Sequence, residues 1–282
     1  MNEGRLITVE KHGKTFQIDS YLKSNLDICL KNTEQKNDNV FMIDGREGSG
    51  KSTGLAFPCA FYLSGPNMRV VFTSEQFNKA YNESKEGDTI IFDEFVTVGM
   101  SIQAMNKEQQ EIIQRMTMSR KKLINIILVV PNYFMFQWYF TTHRSIALLH
   151  AYTEGLFGRG HFLFYNQSSM ADMWYYGKHA LRLHDRSKAD FQGRFPHYPD
   201  GFFFPEEEYQ AAKDEAIKQI SKPEKKEKVS DRNKRQAKCL FKAIEFFHEV
   251  QNMSFIEISD ILGMDNESVR KHYDRHKEEG QN

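Results

Sequence analysis

Between residues 39 and 167 the chain alternates short apolar runs with stretches of helical periodicity. The runs fall at 39–44, 69–73, 89–93, 124–130 and 145–152. They are continuous rather than alternating, as expected of strands covered on both faces in a parallel sheet. The intervening segments predict helices at 52–62, 75–82, 102–121 and 134–142. Ahead of this core, residues 6–18 alternate apolar and polar positions around His12-Gly13, the pattern of a β-hairpin, placed at 4–18. Beyond residue 154, His161-Phe-Leu-Phe-Tyr and Met173-Trp-Tyr-Tyr read as strand-like pieces of an extension over 155–205. A polar helix is predicted at 205–220, and Ser221-Lys-Pro-Glu-Lys-Lys-Glu-Lys reads as a charged linker. The pattern therefore predicts an α/β domain over 1–205 with a mostly parallel central sheet and an N-terminal hairpin. A helix and linker follow over 206–229, then a small all-α domain over 230–282.

Composition narrows the class. Of 282 residues 40% are hydrophobic and 27% charged, which suits a globular protein with a real core. The formal net charge of +0 means that any nucleic-acid argument rests on local patches. Cys29, Cys59 and Cys239 form no C-x-x-C pair, so they indicate neither a disulfide framework nor a zinc site. The longest apolar run, 126–130, falls far short of the roughly 20 residues of a membrane span. A cytoplasmic protein without an anchor is expected, in the host cytoplasm if the chain is viral.

The strongest chemical signal is Gly45-Arg46-Glu47-Gly48-Ser49-Gly50-Lys51-Ser52-Thr53, a complete G-x-x-x-x-G-K-[ST] loop between an apolar strand and a helix. Backbone N–H groups of such a loop wrap phosphates, and the helix N-terminus adds partial positive charge. Lys51 would reach the outer phosphates and Ser52 would offer a Mg2+ ligand, so ATP and Mg2+ are the expected cofactors. The run 89–93 ends in Asp93-Glu94. Asp93 would hold Mg2+ and Glu94 would polarise the attacking water.

With one strand–helix unit between loop and acidic pair, the chain resembles the RecA-like, additional-strand, catalytic-glutamate P-loop ATPases. That resemblance implies ATP hydrolysis. It also implies a γ-phosphate sensor at the tip of the 124–130 strand, where Asn132 stands. A charge-stabilising arginine, supplied in cis or by a neighbouring subunit, would come from Arg120 or Arg144, with Arg115 and Arg159 as further candidates.

At the C-terminal end, apolar positions from Ala237 to His248 recur at helical spacing. The segment Ser254-Phe-Ile-Glu-Ile-Ser-Asp-Ile-Leu-Gly-Met-Asp-Asn-Glu-Ser-Val-Arg-Lys-His-Tyr reads as a helix-turn-helix, with Gly263 in the turn and Ser254 and Asn266 as caps. Its second helix would present Arg270, Lys271, Tyr273 and Arg275 to DNA. Between Lys222 and Lys242 nine basic residues, Lys234 and Arg235 among them, face three acidic ones. A partner-binding module is the alternative reading of the same helices.

The P-loop, Phe92-Asp-Glu-Phe, Met118-Ser-Arg-Lys-Lys and Ile127-Leu-Val-Val-Pro-Asn-Tyr-Phe, in that order, resemble FtsK/HerA-type and viral DNA-packaging motor ATPases. The resemblance implies a homo-oligomeric ring with DNA-stimulated turnover on double-stranded DNA. Unlike usual terminases, the chain shows no nuclease domain after the motor, so a separate nuclease or portal partner is expected. Assembly ATPases of the zonula-occludens-toxin type are similar but carry a membrane span. The rival readings are an AAA+-like replication initiator or helicase loader, and a DNA-binding regulator that uses ATP as an assembly switch.

Overall fold

A computed structural model describes residues 2–93, 115–117, 119–135, 139–154, 158–177, 184–220 and 239–279. The chain divides into two compact units, Met1–Ser221 and Lys222–Asn282.

The first unit opens with a short strand, β1 (Asn2–Glu3), and an antiparallel hairpin, β2 (Leu6–Lys11) and β3 (Lys14–Asp19). At its turn His12 and Gly13 have φ of 49° and 76°. Two positive values match the twist that a two-residue hairpin loop needs. Helix α1 (Ser20–Glu34) follows, where the sequence pattern predicted no element. Its apolar stripe is narrow, comprising Leu22, Leu26 and Cys29. Its start is fixed by the Asp19 carboxylate, which accepts from the Tyr21 and Leu22 amides.

The core comprises β4 (Asn39–Gly45), α2 (Phe57–Ser64), β5 (Met68–Val71), α3 (Ser74–Glu83), β6 (Thr89–Phe92), β7 (Asn125–Val129) and β8 (Ala147–Glu154). It continues through β9 (Gly158–Asn166), α4 (Gln167–Gly177), β10 (Phe191–Arg194) and α5 (Glu206–Ile220). The eight-stranded sheet has the order β1-β10-β9-β8-β4-β7-β6-β5. From β8 to β5 neighbouring strands are parallel, and β9 runs antiparallel to β8 and β10. Strand β7 lies between the P-loop strand β4 and the acidic strand β6, the place of the additional strand. This is a P-loop NTPase fold.

Both faces of the sheet are covered, which explains the continuous apolar runs. Phe41, Ile43, Ile127 and Val129 pack on one face with α1 and α2, while Val40, Met42, Ile126 and Leu128 pack on the other with Phe77, Tyr133 and Trp174.

Three expectations change here. Met173 to Tyr176 are helical, not strand-like, because Met170, Met173 and Trp174 recur at helical spacing and are the residues α4 buries. Helix α5 belongs to the first unit rather than to the linker, since Ala216 is buried in its core and the Tyr209 ring lies against Phe57 and Phe72. The predicted helix at 134–142 consists, among the described residues, of two short turns, Tyr133–Met135 and Tyr139–Arg144. Of the predicted helix 102–121, residues 102–114 and 118 lie outside the described residues.

Among its described residues the second unit shows three helices: α6 over 239–250, α7 (Phe255–Leu262) and α8 (Asn266–Glu279). Ile244, Ile258, Val269 and Tyr273 form its core. Ser254 and Glu257 cap α7 reciprocally, and Gly263 ends it in the left-handed conformation. The cap of α8 is Asp265, whose carboxylate accepts from the Ser268 amide, rather than the predicted Asn266. No helix among the described residues is long and apolar enough to cross a membrane.

Candidate nucleotide site

The phosphate loop begins where β4 ends. Its first residue must be glycine: Gly45 has φ of 139°, and a Cβ there would stand 2.2 Å from the Ala151 carbonyl oxygen of β8. The helix entered at Lys51 starts as a wide π-type turn, Lys51–Ala56, before α2. On this turn Gly54 makes room for the Phe195 ring, which would lie 2.4 Å from a Cβ. The loop is thus held from outside by β8 and by Phe195. Arg46, Glu47 and Gly48 are exposed, whereas Ser49 is buried.

A cleft of 570 Å³ opens over the loop, lined by Glu47, Gly48, Gly50, Lys51, Ser52 and Thr53, by Asp93, and by Val129 to Pro131. The Lys51 ammonium donates to the carbonyls of Gly45 (2.6 Å) and Arg46 (3.0 Å). The Ser52 hydroxyl donates to Asp93 Oδ1 at 3.0 Å, so the two Mg2+ candidates converge although 41 residues apart. A hydroxyl and a carboxylate are hard oxygen donors, a set that suits Mg2+ with water and phosphate completing its shell. Asp93 is placed by the sheet, its amide donating to the Val71 carbonyl.

Helix α5 contributes two residues that sequence reasoning missed. The Tyr209 hydroxyl donates to Asp93 Oδ2 at 2.8 Å, and Tyr209 and Lys213 line the cleft. A helix more than a hundred residues downstream carries no motif linking it to a phosphate loop; the spacing of Tyr209, Lys213 and Ala216 on one face was the only available signal.

Other predicted positions sort differently. Glu94 lies outside the described residues. Asn132 follows Pro131 at the cleft, and its Oδ1 accepts from the Phe134 amide at 2.8 Å, closing a local turn. Arg120 donates to Asn37, and Arg144 pairs with Asp38 and donates to the Met116 carbonyl. Residues 37 and 38 precede β4, whose seven residues end at the loop, about 20 Å away at about 3.3 Å per residue. Neither arginine therefore reaches the phosphate loop of its own chain, which corrects the cis reading for both. Arg115 donates to Asn82, while the Arg159 side chain lies outside the described atoms.

In the second unit Tyr273 is 7% exposed, and its hydroxyl donates to Glu249. It is a core residue, which corrects its assignment as a DNA contact. Arg270 is exposed beside the Phe255 ring, and Lys271 is exposed and paired with Glu267 at 2.6 Å. Lys234, Arg235 and the Arg275 side chain lie outside the described residues.

The chain matches no protein-family model and no curated protein. Among solved structures it is similar to the genome packaging NTPase B204 from Sulfolobus turreted icosahedral virus 2 in complex with ATP-gammaS. Identity is 15% over 47% of this chain and 94% of that one, with a TM-score of 0.36. B204, the DNA-packaging ATPase from Sulfolobus Turreted Icosahedral Virus, matches at 15% identity over 48% of this chain and 95% of that one, with a TM-score of 0.37. The N-terminal domain of zonular occludens toxin from Neisseria meningitidis matches at 14% identity over 58% and 96%, with a TM-score of 0.39.

Proposed function

We propose that this protein hydrolyses ATP with Mg2+ at the 45–53 loop and couples turnover, as a homo-oligomeric ring, to movement along double-stranded DNA. The observation that carries the hydrolytic part is the convergence of Ser52 and Asp93 beneath a complete phosphate loop, with β7 inserted between β4 and β6. In that arrangement Lys51 neutralises the outer phosphates, and Ser52 and Asp93 hold the ion. Glu94 orients the attacking water, and Asn132 senses the γ-phosphate. Arg120, exposed and bonded to Asn37 ahead of β4, is the arginine a neighbouring subunit would meet.

The DNA part rests on the sequence resemblance to packaging and FtsK/HerA-type motors. It is supported by α8 of the second unit, which bears exposed Arg270 and Lys271, with Lys234, Arg235 and Arg275 as further phosphate contacts. The initiator or loader reading would want a helical lid after β8. The chain there forms β9, α4 and β10 instead.

The test is an ATPase assay with and without duplex DNA, comparing the native protein with Glu94→Gln, alongside a sizing measurement with ATP. Stimulation by duplex DNA, loss of turnover in the variant and ATP-dependent assembly are expected. A monomer whose turnover ignores DNA would sink the motor.

A further inference from the structure

Directly beneath the phosphate loop, on the last residue before Gly45, stands a carboxylate that the nucleotide site does not use. Asp44 is 0% exposed. A buried carboxylate is costly unless opposing groups surround it, and three converge on it. The Tyr133 amide donates to Oδ2 at 2.8 Å. Nδ1 of His150 lies 2.8 Å from Oδ1. Nε2 of His184 lies 2.7 Å from Oδ2, yet outside the alignment of a hydrogen bond, so this buried nitrogen points at the carboxylate without being satisfied by it. The two imidazoles stack on one another, with centroids 3.7 Å apart and planes inclined by 14°.

Two stacked imidazoles presenting ring nitrogens to one buried carboxylate are poorly explained as an ion pair. One cation would compensate the Asp44 charge, and two cations face to face at this distance would repel. They are well explained as donors to a shared ion. The donor atoms of Asp44, His150 and His184 all lie within 4.8 Å of one another, within reach of one centre with bonds of about 2.0–2.2 Å once the side chains adjust. The positions are also prepared. Asp44 and His150 are register partners on parallel strands β4 and β8. The Tyr133 amide fixes the orientation of the carboxylate. The rings of Tyr133, Phe134 and Tyr165 surround His184 and keep its side dry.

We propose that Asp44, His150 and His184 form a site for one divalent transition-metal ion of the zinc class, separate from the Mg2+ position at Ser52 and Asp93. Two imidazoles and one carboxylate, without thiolate, suit Zn2+ or Co2+ and disfavour Mg2+ and Ca2+, which prefer all-oxygen shells. The role is structural. An ion held there joins the end of the P-loop strand, the neighbouring strand β8 and the segment ahead of β10 that carries His184. It thereby stiffens the base of the loop. Water would fill the remaining coordination position, since His150 is partly exposed.

The test uses the full chain, stripped with a chelator and kept free of nucleotide and Mg2+. It is loaded with Zn2+ or Co2+, desalted, and its metal content measured by mass spectrometry. Native protein is expected to retain one ion per chain, to show Co2+ d–d absorption, and to melt several degrees higher with Zn2+ than without. His184→Gln and His150→Ala should lose retention, the Co2+ spectrum and the thermal shift while keeping the native far-ultraviolet circular dichroism. Should His150→Ala fail to fold, His184→Gln alone decides. Failure of the native protein to retain metal, or equal retention in His184→Gln, would overturn the proposal.

Discussion

Arg144 shows what a side chain's neighbours decide. Its guanidinium and the Asp38 carboxylate are 13% and 7% exposed, and its Nε also serves the Met116 carbonyl. Removing one member of such a pair withdraws the ion-pair partner of a buried charge, so Arg144→Ala should destabilise the first unit by about 3–5 kcal/mol in denaturant unfolding. Arg120 is exposed and bonded only loosely to Asn37, at 3.3 Å. Arg120→Ala should change stability by no more than about 0.5 kcal/mol, while lowering ATP turnover of the assembled protein if a neighbouring subunit uses it. Gly45 poses the opposite problem, a side chain that must be absent. Gly45→Ala would drive a methyl group into the Ala151 carbonyl and force a positive φ on alanine. The expected cost is roughly 1–3 kcal/mol, with loss of ATP binding measured by fluorescent-nucleotide titration.

At the scale of elements, α5 matters most for the site. It reaches Asp93 through Tyr209, and its Gln76 contact, in which the Gln76 amide donates to the Ala212 carbonyl, ties it to α3. Ala216 anchors the helix in the core at 3% exposure. Ala216→Asp buries an unpaired charge there and should release the helix, withdrawing Tyr209 and Lys213 from the cleft. The expected readout is weaker ATP binding in calorimetry with the rest of the first unit still folded. Unchanged affinity would mean that α5 lines the cleft without contributing to binding. Helix α4 carries a lesson of the same scale. The pair Tyr175-Tyr176 looked strand-like, but both rings are exposed, at 74% and 65%, and the buried face is Met170, Met173 and Trp174.

For the molecule as a whole, the division into two units makes a prediction about cooperativity. Tyr273 closes the small core of the second unit with Ile244, Ile258 and Val269. Tyr273→Ala should cost that unit about 3–5 kcal/mol and abolish its unfolding transition, while the first unit still binds ATP with native affinity. A DNA-contact role would predict the reverse, native stability and weaker DNA binding, so calorimetry and a DNA titration on one variant separate the two.

The sequence by itself determined strands β4 to β8, because each of those runs is apolar enough to be covered on both faces, and it determined the phosphate loop, because glycine, lysine and serine spacing is dictated locally by phosphate geometry; β1 and β10 carry no such run. It located Asp93 by its place at a strand end. It could not reveal α1, whose apolar stripe is too narrow, nor tell the core Tyr273 from the exposed Arg270 one turn earlier on the same helix. Tertiary structure alone decided that α5 reaches the cleft, that Arg144 belongs to the far end of β4, and that His150 and His184 meet at Asp44. These are contacts between residues distant along the chain, and strand order and packing set them rather than any local pattern.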